Sequence, residues 1–228
     1  PTTSSAASDV YKRQEKRLEH VLGISVEPVA RLVENIWPIA SKMPGVQLVQ
    51  AAMGECDQSG AEMKGLSEEV RELSVKQVHP DKRHQLTRDL EYLQNMSCLN
   101  SVHPFFPRCL NQIESDYGIK CDIECIETVD VWSWEKLVIE YNFVGCEVML
   151  LDAEGCDTKI LRSLISFCHD HPNHWPDMIQ FETMGHCDSI EGDGAEKATL
   201  DSLQREGYTH VALSCLLYTS DAADDVVG

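Results

Sequence analysis

An α/β fold, with a mostly parallel sheet covered by helices on both faces, is predicted by three features of this sequence. Short apolar runs alternate with helix-length amphipathic segments along the chain. The sharpest run, residues 147–151, is almost wholly apolar, the pattern of a strand buried on both faces. It stops abruptly in Asp152-Ala153-Glu154-Gly155, and a helix follows with Asp157 as its natural N-cap and Ile160, Leu161, Leu164 and Ile165 on one face.

The other elements follow in chain order. Residues 20–26 (HVLGISV) read as a strand ending at Glu27-Pro28, and Pro28 suits the first turn of a helix. Residues 30–43 bring Leu32, Val33, Ile36 and Ile39 to one side of a helix that Pro38 kinks or ends. Pro44-Gly45 turns the chain into a second strand over 46–53, and the small, polar stretch 54–65 reads as loop. Residues 66–78 and 82–96 form two helices divided by Pro80, while Pro104 and Pro107 argue for irregular structure across 97–118. Residues 119–129 alternate in part, and a short helix over 133–141 precedes the central run. Beyond the Asp157 helix, 178–181 form a strand ending at Glu182, 194–206 a helix closed by Gly207, and 208–213 a last strand.

Both ends of the chain fall outside this pattern. Residues 4–14 (SSAASDVYKRQ) and 215–225 (CLLYTSDAADD) resemble opposite-strand translations of one sequencing adapter. Setting aside 1–14 and 215–228 leaves one domain of about 200 residues (15–214), long enough for a real core, with 55–118 as a loop and helical insertion. The expectation is that natural sequence has been lost on both sides.

Composition narrows the function classes. The chain carries 19 basic and 38 acidic residues, a net charge of −19. Such a surface repels phosphate backbones and anionic lipid, so neither nucleic acid nor membrane is the expected partner. No apolar run approaches the length of a membrane span. Of ten cysteines, nine lie within 15–214, scattered and odd in number, which fits reduced thiols in a cytoplasmic protein.

Acidic residues at strand ends are the candidate chemistry. In open α/β sheets ligands bind beyond the carboxyl ends of the strands, which is where Asp152, Glu154 and Glu182 fall. The plainer role for each is to favour the start of a helix or to sit solvated at a strand end. Two other clusters compete with this site. His79-Pro80-Asp81, after a helix mixing Glu68, Glu69 and Glu72 with Arg71 and Lys76, resembles the loop of J-domain co-chaperones, which would make a partner-binding module; a turn with a helix start explains it as simply. Cys168, His169, His171, His174, His186 and Cys187 form a His/Cys-rich neighbourhood, but Pro172 breaks its helical face and no paired short cysteine spacing appears, so no metal is expected.

Six segments, in order, resemble the FkbM-type class I methyltransferases: ISVEPVARL (24–32), GVQLVQAAMG (45–54), CIETVDVWSWEKL (125–137), VMLLDAEGCDTKILRSL (148–164), PDMIQFE (176–182) and LQREGYTHV (203–211). The resemblance implies a Rossmann-like sheet and transfer of a methyl group from S-adenosylmethionine to a hydroxyl of a small molecule, sugar or polyketide-like. It places Glu27 as the acid that hydrogen-bonds the cofactor ribose, where a carboxylate offers acceptors to two vicinal hydroxyls. It sets Ala51 and Ala52 as small residues against the adenine, and Asp152, Glu154 and Glu182 as the acids of the reacting centre. Two departures stand out. The glycine-rich loop and first strand of the family do not occur between Glu15 and Gly23, and its usual Leu-Asp reads Trp132-Ser133. The expectation is therefore an active parent enzyme and an inactive cut chain. A non-catalytic, methyltransferase-like binding protein is the alternative.

Overall fold

Two parallel β-α-β units result from the apolar runs and the helices between them. The computed structural model describes residues 22–95, 105–153 and 155–209. In the first unit, strand β1 (Gly23–Val26) pairs in parallel with β2 (Val46–Val49), and helix α1 (Ala30–Ala40) makes the crossover. Pro38 sits in the last turn of α1, which ends two residues later, as a missing N–H requires. In the second unit, β6 (Val148–Leu150) pairs in parallel with β7 (Met178–Gln180), and α6 (Asp157–Asp170) crosses between them.

The middle of the chain builds two further bodies. Strand β3 (Ala52–Met53) runs parallel to β5 (Glu124–Trp132), and β4 (Gln58–Gly65) pairs with β5 antiparallel, giving the order β3-β5-β4. Helices α2 (Glu68–Gln77), α3 (Pro80–Asn95) and α4 (Phe105–Tyr117) enclose a core of their own, with Leu66, Leu86, Leu90, Leu93, Phe106 and Leu110 buried together. Ser67 caps α2 by accepting the Val70 amide at 3.2 Å, and Pro80 opens α3 where its missing N–H costs nothing. Buried Glu114 closes this body by accepting the Cys121 amide at 2.8 Å and Lys120 Nζ at 2.7 Å; both bonds, the amide foremost, hold its pKa down.

Helix α5 (Trp134–Tyr141), capped by the Ser133 hydroxyl on the Lys136 amide, packs against α6 over the main core. Trp134, Leu137, Val138, Met149, Ile160 and Leu164 are buried there, and Ile24 and Val26 of β1 pack on the same cluster with Ile179 of β7. The two β-α-β units thus share one core without sharing a sheet: among the described residues, β1-β2 and β6-β7 remain separate pairs. The fold is mixed α/β with small, mostly parallel sheets.

Several sequence expectations need correction. The 46–53 strand is split, with β2 and β3 in different sheets. Residues 58–65 form a strand, hidden by polar content because only Ala61, Met63 and Gly65 turn inward. Helix α4 spans much of the stretch read as irregular, since Pro107 lies in its first turn, where proline is tolerated. Strand β6 is not buried on both faces: Met149 faces the core, but Val148 and Leu150 are 48% and 68% exposed. Two further helices follow among the described residues, α7 (His186–Glu191), which has no counterpart in the sequence pattern, and α8 (Ala195–Arg205). Residues 1–14 and 215–228, and the expected strand from residue 210 onward, lie outside the described residues. Among the described residues no helix is long and apolar enough to cross a membrane.

Candidate functional site

The parallel pairing of β6 and β7 is in register from Val148↔Met178 to Leu150↔Gln180, and the Leu151 amide extends it by donating to the Gln180 carbonyl at 2.8 Å. Asp152 and Glu182 each follow their strand by two residues, so the register sets these acids side by side at the carboxyl ends of neighbouring strands. Asp152 is exposed and Glu182 half-buried. Glu182 Oε2 lies 3.1 Å from His186 Nδ1, a partner four residues on at the start of α7. Glu154 lies outside the described residues.

Asp157 changes role in the structure. Cys156, not Asp157, occupies the N-cap of α6, and Asp157 is the first helical residue. It is fully buried, and neither carboxylate oxygen has a hydrogen-bond partner among the described residues. Its own amide and that of Ala153 lie close enough to favour the charged form, though neither meets hydrogen-bond geometry. Burial dominates, and the nearby charges of Asp152 and Glu182 add to it, pushing the pKa up to about 6. The same burial raises the thiols of Cys156 and Cys187 on either side of it.

The turn before α6 is held by a close approach. Gly155 has φ 93°, and a Cβ there would stand 2.7 Å from Ile190 Cδ1 and 3.1 Å from the His186 carbonyl oxygen. Gly155→Ala is therefore expected to cost roughly 1–3 kcal/mol, read as a lowered denaturation midpoint. A neutral result would mean that α7 does not press on this turn. Arg162 ties the same region together, donating to Glu55 at 2.9 Å and meeting Glu191 at 2.6 Å, while the Thr158 hydroxyl donates to Glu191.

The remaining expected site residues lie elsewhere. Glu27, just past β1, accepts the Val29 amide at 2.9 Å, and Glu127 of β5 accepts the Ala30 amide at 3.2 Å, so two carboxylates cap α1. Burial raises the Glu27 pKa, the Val29 amide opposes it, and the Glu127 charge adds to it. Ala51 and Ala52 are buried; Ala52 packs with Val29, Met63 and Val129. The structure thus pairs Asp152 with Glu182, joins Asp157 and His186 to them, and sets Glu27 beside Glu127 instead.

The rival clusters are occupied by local contacts. His79 Nδ1 lies 3.3 Å from Asp81 Oδ2 at an exposed turn between α2 and α3, and Arg71 is ion-paired to Glu68 and Glu91. His171 stacks on Phe167 with ring centroids 4.2 Å apart, and His174 meets that ring edge-on. Among the described residues no three His, Cys, Asp or Glu side chains are placed to hold a metal ion.

Asp157, expected as a cap, and His186, expected only as part of a His/Cys-rich neighbourhood, join this site through contacts distant in sequence. An acid in the first helical turn carries the pattern of a cap whether or not it is buried. Nothing local tells that α7 will cover it. Comparison with protein-family models, curated proteins and solved structures yields no match to this chain.

Proposed function

We propose that this chain derives from an S-adenosylmethionine-dependent methyltransferase acting on a small-molecule hydroxyl, with the two β-α-β units, separate strand pairs here, as parts of the parent's Rossmann-like fold. The observation that carries the reading is the placement of Asp152 and Glu182 side by side beyond neighbouring parallel strands, the edge where such sheets bind ligands. Exposed Asp152 is placed to orient an acceptor hydroxyl or take its proton, with Glu182 and His186 beside it. Methyl transfer is an in-line displacement in which the acceptor oxygen forms a bond to the methyl carbon as the carbon–sulfur bond breaks. Alignment supplies most of the rate, and proton removal a smaller factor. Glu27, free to exchange its bond to the Val29 amide for ribose hydroxyls, is the cofactor residue in this reading.

The test uses the parent enzyme that this reading proposes. Titration calorimetry is expected to give saturable S-adenosylmethionine binding that Glu27→Ala weakens about tenfold, the worth of a charged hydrogen bond. Asp152→Ala is expected to lower turnover by roughly a hundredfold while changing binding little. Absence of cofactor binding would overturn the reading in favour of a non-catalytic binding protein. Variants indistinguishable from the parent in both assays would overturn the residue roles.

A further inference from the structure

Helix α7 has only six residues and stands between Gly185 and Gly192, at φ 83° and 106°, both with open space where a side chain would be. It lies across the first turn of α6: Ile190 abuts Gly155, Glu191 binds Thr158 and Arg162, and Cys187 is buried against Thr158 and Asp157. Beneath it are the two carboxylate oxygens of Asp157, without a hydrogen-bond partner among the described residues. A buried carboxylate without partners is rare and calls for an explanation.

Burial outweighs what the amides of Asp157 and Ala153 do to favour its charge, and the side chains around it give little relief. Asp152 faces it from the end of β6 and Glu182 from the end of β7, both acting on its charge. From α7 come Cys187, His186 held on Glu182, and Glu191, while Glu196 of α8 accepts the Cys187 amide at 3.2 Å. Cys156 and Lys159 belong to its own turn, and Arg162 is committed to Glu55 and Glu191.

We propose that α7 is a hinged cover over the start of α6, and that protonation of Asp157 holds it shut. Neutral Asp157 tolerates the dry site. Ionised Asp157 leaves two unsolvated oxygens among like charges, and lifting α7 lets water reach them. Opening favours the charged form, so it increases with pH. With a pKa of about 6 when covered and the ordinary 3.8 when open, the open fraction rises roughly tenfold from pH 5 to pH 8. Opening thus brings Asp157 to solvent more at neutral pH than in mild acid, while Asp152 is exposed in either state.

Hydrogen exchange on the full chain, with protection corrected for intrinsic rates, tests this. From pH 5 to pH 8, protection of residues 186–192 is expected to fall about tenfold. It is also expected to stay well below that of residues 160–168 throughout. Asp157→Asn is expected to remove the fall. Three results would overturn the proposal: protection at 186–192 that is flat with pH, protection level with that of 160–168 so that α7 moves only in global unfolding, or a fall that persists in Asp157→Asn. Should that variant not fold, Glu182→Gln, which removes one neighbouring like charge, is expected to reduce the fall; an undiminished one has the same consequence.

Discussion

Asp157→Asn is expected to make the protein more stable at pH 7 by about 2–3 kcal/mol and to flatten its stability across mild acid. The carboxyl has a pKa of about 6 when folded against 3.8 for the unconstrained group. The folded chain therefore binds this proton more tightly than the unfolded chain. Its contribution is neutral below about pH 4, turns unfavourable as pH rises towards 6, and stays so above. A shift of roughly two units corresponds to about 3 kcal/mol at neutral pH. An amide of the same shape is uncharged throughout, so the variant and the parent should converge near pH 4 and separate by pH 7. Urea denaturation at fixed salt, with midpoints taken at constant slope, measures the difference. A parent whose stability is level from pH 4 to 7, or a variant with the same slope, would show that Asp157 finds partners on folding.

Leu164→Ala is expected to cost about 2–5 kcal/mol, the range for emptying a packed aliphatic site. Leu164 is completely buried on α6, in the cluster that joins α5, β1, β6 and β7. Truncating it removes contacts that hold the two strand pairs against one helix, and no shared sheet compensates. Domains of this size are stable by roughly 5–15 kcal/mol, so the loss should move the thermal midpoint by many degrees. Ile139→Ala is the contrast: its side chain is 67% exposed on α5, and truncation should stay within about 0.5 kcal/mol. Equal costs at the two positions would mean that α6 does not form the centre of the core.

Local signals were legible where each could be satisfied within a short stretch. The buried stripe of Ile160, Leu161 and Leu164 is the example, because helical periodicity is a local property. Strand β4 and helix α4 were not legible. The first shows few apolar residues because one face is solvated, and the second carries a proline whose harmlessness depends on its falling in the first turn. The strand-end acids could be found from the sequence, since an apolar run that stops at a carboxylate has a definite end. That Asp157 and His186 lie with Asp152 and Glu182 could not, because β6 and β7 meet across 27 intervening residues and α7 follows both.

Local pattern alone is enough for the parallel β-α-β units and the acids at their strand ends, because periodicity and turn chemistry act over a few residues. Contacts between distant segments, among the described residues, keep the strand pairs separate, set Glu27 beside Glu127, and bury Asp157 beneath α7 without a hydrogen-bond partner. Burial and electrostatic coupling depend on what lies across the chain in space, and no local pattern encodes that.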